Sequence, residues 1–137
     1  MKKTKTITKI FSFDSSHRLD NPDLSEEENK KVFGKCNNLP SHGHTYKLFV
    51  TVSGEEENGM IINFTDLKEI VNREVIDIFD HNFINDLDCM KGKITTCEIM
   101  IELMWKLLEN SLKEKDVKLE KLKLYETATS YAEVESE

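Results

Sequence analysis

Proline and glycine are scarce in this 137-residue chain, at 2 and 5 residues. Their scarcity excludes collagen-like and low-complexity architectures. Cysteine is sparse too: Cys36, Cys89 and Cys97 are an odd number at unrelated spacings. A disulfide framework is therefore not expected, and the thiols fit a reducing, cytoplasmic setting. No apolar run approaches the length of a membrane span. The start, Met1-Lys2-Lys3-Thr4-Lys5-Thr6-Ile7, is basic but has no apolar stretch behind it, unlike a secretory signal. Basic residues are outnumbered, 19 Lys and Arg against 26 Asp and Glu, for a net charge of −7. That balance argues against a general nucleic-acid binder and against attachment to anionic lipid. What remains, 38% hydrophobic and 33% charged residues, describes one small globular domain over residues 1–137.

Periodicity supplies the elements. Residues 4–14 read as a strand with Ile7, Phe11 and Phe13 on one parity, running into Ser15-Ser16-His17-Arg18. Residues 20–31 are polar and read as an exposed insertion, although Ser25 and Glu28 have the spacing of a short capped helical turn. From His44 to Ser53, Tyr46, Leu48, Val50 and Val52 alternate with polar or outward residues, a second strand. A Gly- and Glu-rich turn leads to a short third strand at 60–64, which would make a hairpin with the second. Helical period follows over 65–79, with Leu67, Ile70, Val71, Val75 and Ile78 on one stripe. Thr95 and Glu98 have capping-box spacing at the start of a second helix reaching about Leu112. Its stripe is Met100, Leu103, Met104, Leu107 and Leu108. Two closing strands are expected at 119–126 and 130–135. The order β-β-β-α-α-β-β predicts an α+β fold, an antiparallel sheet with two helices on one face.

The 4 histidines are the most informative residues. His42-Gly43-His44 opens a strand, where residues two apart share a face, and Gly43 leaves room for a close approach. If the first two strands pair antiparallel, His17 at the end of one meets His42 and His44 at the start of the other. Three imidazoles suit zinc, and three protein ligands leave a position open for chemistry. Cys36 precedes the pair; a thiol beside a metal and Lys35 is favoured as thiolate, whereas by itself it reads as a small buried hydrophobe. Asp80-His81 follows the first helix. An Asp can orient a His that holds or relays a proton, and the same pair also suits an ordinary helix end. Glu126 ends a strand, where a solvated carboxylate is the default.

Together these motifs resemble the 6-pyruvoyl-tetrahydropterin synthase family, which includes 6-carboxytetrahydropterin synthases. The matching segments are FSFDSSHRL at 11–19, FGKCNNLPSHGHTYKLFVTVSG at 33–54, GMIINFTDLK at 59–68, Asp80-His81, Thr95 to Glu98 and Tyr125-Glu126-Thr127. Asp14 stands where a small residue is common, Thr45 where Asn is frequent, and Cys97 where Ser, Thr or Ala often occurs. The resemblance implies a T-fold subunit with a four-stranded sheet and two helices on one side. It also implies closure of the sheets into a barrel in a homohexamer, a dimer of trimers with active sites between subunits. The implied substrate is 7,8-dihydroneopterin triphosphate. By position, His17, His42 and His44 would hold one Zn2+ per subunit, and Cys36 would be the general base. Asp80 and His81 would come from a neighbouring chain, and Glu126 would anchor the pterin ring, with Thr96, Cys97 and Glu98 around it. Mg2+ would assist with the triphosphate; an acidic chain needs local cations for it, and Lys35, Arg18 and Lys47 are candidates.

Five residues separate Cys36 from His42. That spacing resembles the branch that eliminates triphosphate to give 6-pyruvoyl-tetrahydropterin. The alternative branch has a shorter gap in many members; it also releases acetaldehyde and gives 6-carboxytetrahydropterin for queuosine synthesis. A reading of another class is a non-catalytic zinc module closed by Cys36 as fourth ligand.

Overall fold

The computed structural model describes residues 3–137; Met1 and Lys2 of the basic start lie outside the described residues. Four strands, β1 (Thr6–His17), β2 (His42–Ser53), β3 (Lys118–Thr127) and β4 (Ser130–Glu135), form one antiparallel sheet in the order β1-β2-β3-β4. Helix α1 (Glu26–Phe33) lies in the β1–β2 connection. The β2–β3 crossover holds α2 (Phe64–Val71), a π-helical segment (Asn72–Ile76), the short α3 (Asp77–Phe79) and α4 (Cys97–Lys113).

One face of the sheet is covered. Phe11 and Phe13 of β1, Tyr46, Leu48, Val50 and Val52 of β2, and Leu122 and Leu124 of β3 point inward and are buried. Leu67, Ile70 and Val71 of α2 and Met100, Met104, Leu108 and Leu112 of α4 close over them. Period-2 and period-3.6 stripes therefore meet in a single core. The other face carries Ile10, Phe49, Tyr125 and Tyr131, with Ile10 and Tyr131 exposed.

Four expectations are corrected. The third strand does not form. Asn58 and Gly59 both have positive φ and close a tight Glu57–Met60 turn, while Asn63 already caps α2 by accepting from the Thr65 amide at 2.8 Å. Both edges of β2 are also taken, by β1 and β3, so the sheet has four strands rather than five. Residues 26–33 are not a loose insertion but a helix. Ser25 and Glu28 complete a capping box, Glu28 N–H donating to Ser25 Oγ at 3.1 Å and Ser25 N–H to Glu28 Oε1 at 3.0 Å. Asn29 is buried and clamps the preceding turn, accepting from the Asn21 amide at 2.8 Å. In the α2–α3 helix, Phe79 rather than Ile78 is fully buried, because the π-helical segment retards the stripe. Finally, the N-cap of α4 is Thr96, which accepts from Ile99 N–H at 3.4 Å, so Glu98 is not at the capping-box position.

Candidate active site

The β1–β2 ladder runs to the last residue of β1, pairing His17 with His42 and Ser15 with His44. Strand pleat turns all three imidazoles to the covered face. Their ring centroids lie 4.6 Å (His17–His42), 5.1 Å (His17–His44) and 5.0 Å (His42–His44) apart. One ligand atom from each falls within 4.8 Å of the others. The Nε2 atoms of all three are buried without a hydrogen-bond partner. Buried nitrogens left bare and converging are the donor set of a metal site, and imidazole suits zinc among other transition metals. Among the described residues, no Cys36 sulfur or carboxylate completes the group as a fourth donor.

His17 is fully buried, and its Nδ1–H donates to the Thr95 carbonyl at 2.8 Å. That bond fixes the tautomer and leaves Nε2 bare. Thr95 is fully buried as well; its hydroxyl donates to Arg18 O at 3.3 Å and to Asn85 Oδ1 at 3.4 Å. Asn85 grips the backbone of Arg18 on both sides, accepting from its amide at 2.9 Å and donating to its carbonyl at 2.7 Å. Burial is the main cause holding the pKa of His17 and of His44 below the ordinary imidazole value. Both are thus kept neutral, as a metal requires.

Cys36 sits half-buried on a 3-10 turn (Gly34–Asn37) just before the ligand strand. The turn is pinned to the chain leaving His17. Leu19 N–H donates to Cys36 O at 2.9 Å, and Arg18 Nε–H to Asn37 O at 2.8 Å. Asn37, buried, returns a bond to Leu19 O at 2.7 Å. Arg18 is committed to this loop and to Asp20, 3.6 Å away.

Glu126 lies past the last β2–β3 pair, with Oε1 3.2 Å from His44 Nε2, though without completing a hydrogen bond. Cys97 is buried at the start of α4 and donates its thiol to Leu124 O at 3.1 Å. Burial, followed by the charge of Glu126, pushes that thiol up to about 12. Thr96 is half-buried and occupied as the N-cap, and Glu98 is exposed on the first turn of α4.

Asp80 and His81 are not brought to the imidazoles' face. The loop after α3 wraps over the outer side of β1, where His81, Asn82, Asp14, Gly43 and Thr45 line a cleft. His81 adopts φ +57°, costly for a non-glycine residue, and its amide donates to Asp14 O at 2.6 Å. Asp80 Oδ1 accepts from the Asp14 amide at 3.0 Å. Two of the three departures from the family pattern are partners: Thr45 Oγ1 donates to Asp14 Oδ1 at 2.6 Å across the ladder. The room left by Gly43 opens on this cleft, whose lining also includes His44. Tyr46, two residues beyond His44 on the same face, belongs to the imidazole neighbourhood, its ring centroid 5.6 Å from that of His44. The alternating β2 pattern marked Tyr46 only as core.

A four-stranded antiparallel sheet, helices packed on one face and a convergent imidazole triad at the sheet's end define a T-fold subunit of the pterin-enzyme class. Residues 6–137 match the family model described as 6-pyruvoyl tetrahydropterin synthase, and the chain belongs to that family. It is 43% identical to a 6-pyruvoyl tetrahydrobiopterin synthase of Dictyostelium discoideum, covering 96% of each chain. It is 34% identical to a 6-carboxy-5,6,7,8-tetrahydropterin synthase of Haemophilus influenzae, over 93% of this chain and 96% of that one. The structure of Caenorhabditis elegans 6-pyruvoyl tetrahydropterin synthase superposes with a TM-score of 0.90 at 30% identity, covering 98% of this chain and 97% of that one.

Proposed function

We propose that this single-domain chain is a zinc-dependent lyase that converts 7,8-dihydroneopterin triphosphate to 6-pyruvoyl-5,6,7,8-tetrahydropterin with loss of triphosphate. The observation that carries the reading is the convergence of three bare, buried Nε2 atoms beside the Glu126 carboxylate. His17, His42 and His44 would hold the ion, one per subunit. Bound there, zinc supplies Lewis acidity toward the side-chain hydroxyls of the substrate.

The chain's own groups do the rest. Cys36, on a turn pinned to the chain leaving His17 by the Leu19 and Arg18 bonds, takes the weakly acidic C–H proton next to those hydroxyls. Asp80 and His81 face outward from their own subunit, as residues that serve a neighbour's site would. In a homohexamer of stacked trimers they would hold or pass the proton that Cys36 takes. Glu126 can accept two N–H donors from the guanidine-like pterin edge, a bidentate match. Thr96, Cys97 and Glu98, at the start of α4, would surround the ring. Mg2+ would accompany the triphosphate, and the chain would work in the cytoplasm.

The test is mass spectrometry of products after incubating zinc-loaded protein with 7,8-dihydroneopterin triphosphate and Mg2+ without a reductase. A 6-pyruvoyl product with free triphosphate is expected. A 6-carboxy product with acetaldehyde would instead align the chain with the Haemophilus relative. Unchanged substrate, with metal bound and fold intact, would overturn the enzyme reading.

A further inference from the structure

Among the described residues, four buried side-chain atoms lack a hydrogen-bond partner: Nε2 of His17, His42 and His44, and the hydroxyl of Tyr46. A metal accounts for the three nitrogens but leaves the hydroxyl unexplained. An unmet buried hydroxyl is destabilising, and phenylalanine would fill the same space without that cost. Tyr46 is fully buried, and its ring stacks on Phe13 at 5.0 Å with 9° between planes. The same ring lies 5.6 Å from His44 and 6.1 Å from His17. Lys47 pairs with Tyr125, so one step further along the two strands brings Tyr46 to the level of Glu126. Burial first, and then the charge of Glu126, push the Tyr46 phenol up.

Glu126 itself has no donor from the imidazoles in place. Its Oε1 lies 3.2 Å from His44 Nε2 without completing a hydrogen bond, and a metal would take the bare lone pair of that nitrogen. A metal on that nitrogen would leave His44 with no hydrogen to offer Glu126. We propose that the Tyr46 hydroxyl then donates to the Glu126 carboxylate and holds it in the orientation that receives the pterin edge. Tyr46 is thus a positioning residue for substrate, and it couples metal loading to pterin recognition. This inference rests on the reading of Glu126 as the pterin anchor.

The test uses Tyr46→Phe, which keeps the stack on Phe13, and 7,8-dihydroneopterin, which lacks the triphosphate and undergoes no elimination. Binding is followed by fluorescence titration in zinc-loaded and metal-free protein. Wild type should bind more tightly when loaded. Tyr46→Phe should keep its zinc and its melting temperature, bind about tenfold more weakly when loaded, and show a smaller gain from zinc. Glu126→Gln should weaken binding alone, and adding Tyr46→Phe to it should cost nothing further. Wild-type affinity in Tyr46→Phe beside weakened Glu126→Gln would overturn the Tyr46 role alone. So would additive losses in the double variant, or loss of zinc from Tyr46→Phe. Unchanged binding in Glu126→Gln would overturn both readings.

Discussion

His17 is held from two sides, by the core around it and by the Thr95 carbonyl on Nδ1. Its pKa, like that of His44, lies below the ordinary value chiefly because burial disfavours the cation. The unfolded chain therefore takes up protons first as pH falls through about 6.5. Stability of the metal-free protein should be full above that pH and decline below it, and zinc should bind more weakly in step. Melting temperature and zinc affinity measured from pH 7.5 to 5.5 check this, and flat profiles would contradict it. Cys36→Ala should retain zinc and fold while turnover drops about 10²–10⁴-fold; loss of zinc would instead favour a closed structural site. Cys97, buried and donating to Leu124 O, should resist iodoacetamide in the native protein at pH 8. Peptide mapping would show it. The imidazole triad was legible because strand parity and one antiparallel pairing suffice to assemble it. Tyr46 was not, since an alternating apolar face looks the same whether or not a hydroxyl at its end is satisfied. Thr95 was misread because Thr95-Thr96 offers two caps, and only the third dimension shows that Thr95 is spent on His17.

At the scale of elements, α1 shows a short-range signal prevailing over composition. Its polar sequence suggested exposed coil, yet the Ser25–Glu28 box and the buried Asn29 fix it. Ser25→Ala should cost α1 about 1 kcal/mol. Amide exchange in residues 26–33 would be faster, with exchange in α4 unchanged. Leu108, fully buried between α4 and the sheet, should cost about 2–5 kcal/mol on truncation to Ala, read by denaturant unfolding. The false third strand had the right apolar residues. What the chain could not announce was that β2 already has a neighbour on each side, a property of topology and not of residues 60–64. Asp14 and Thr45, unremarkable as separate departures, become intelligible as one cross-strand pair that steadies the loop carrying Asp80 and His81.

The whole molecule leaves one sheet face uncovered. Across it run Ile10, its ladder partner Phe49, and then Tyr125 and Tyr131, with ring centroids 5.3 and 4.4 Å apart along the row. An apolar row of this kind is expected to be covered by other copies of the chain. Light scattering should give six times the 15.9 kDa chain mass. Ile10→Lys should yield smaller species without unfolding the core, since Ile10 is 55% exposed in the single chain. The π-helical segment matters at this scale too, as a one-residue delay in a helix. An α-helix advances about 100° per residue. Deleting one residue between Asn72 and Ile76 would swing Asp80 and His81 by roughly that angle about the helix axis, off the Asp14 backbone that receives them. In a ring of identical copies, one missing residue would misaim every shared site at once.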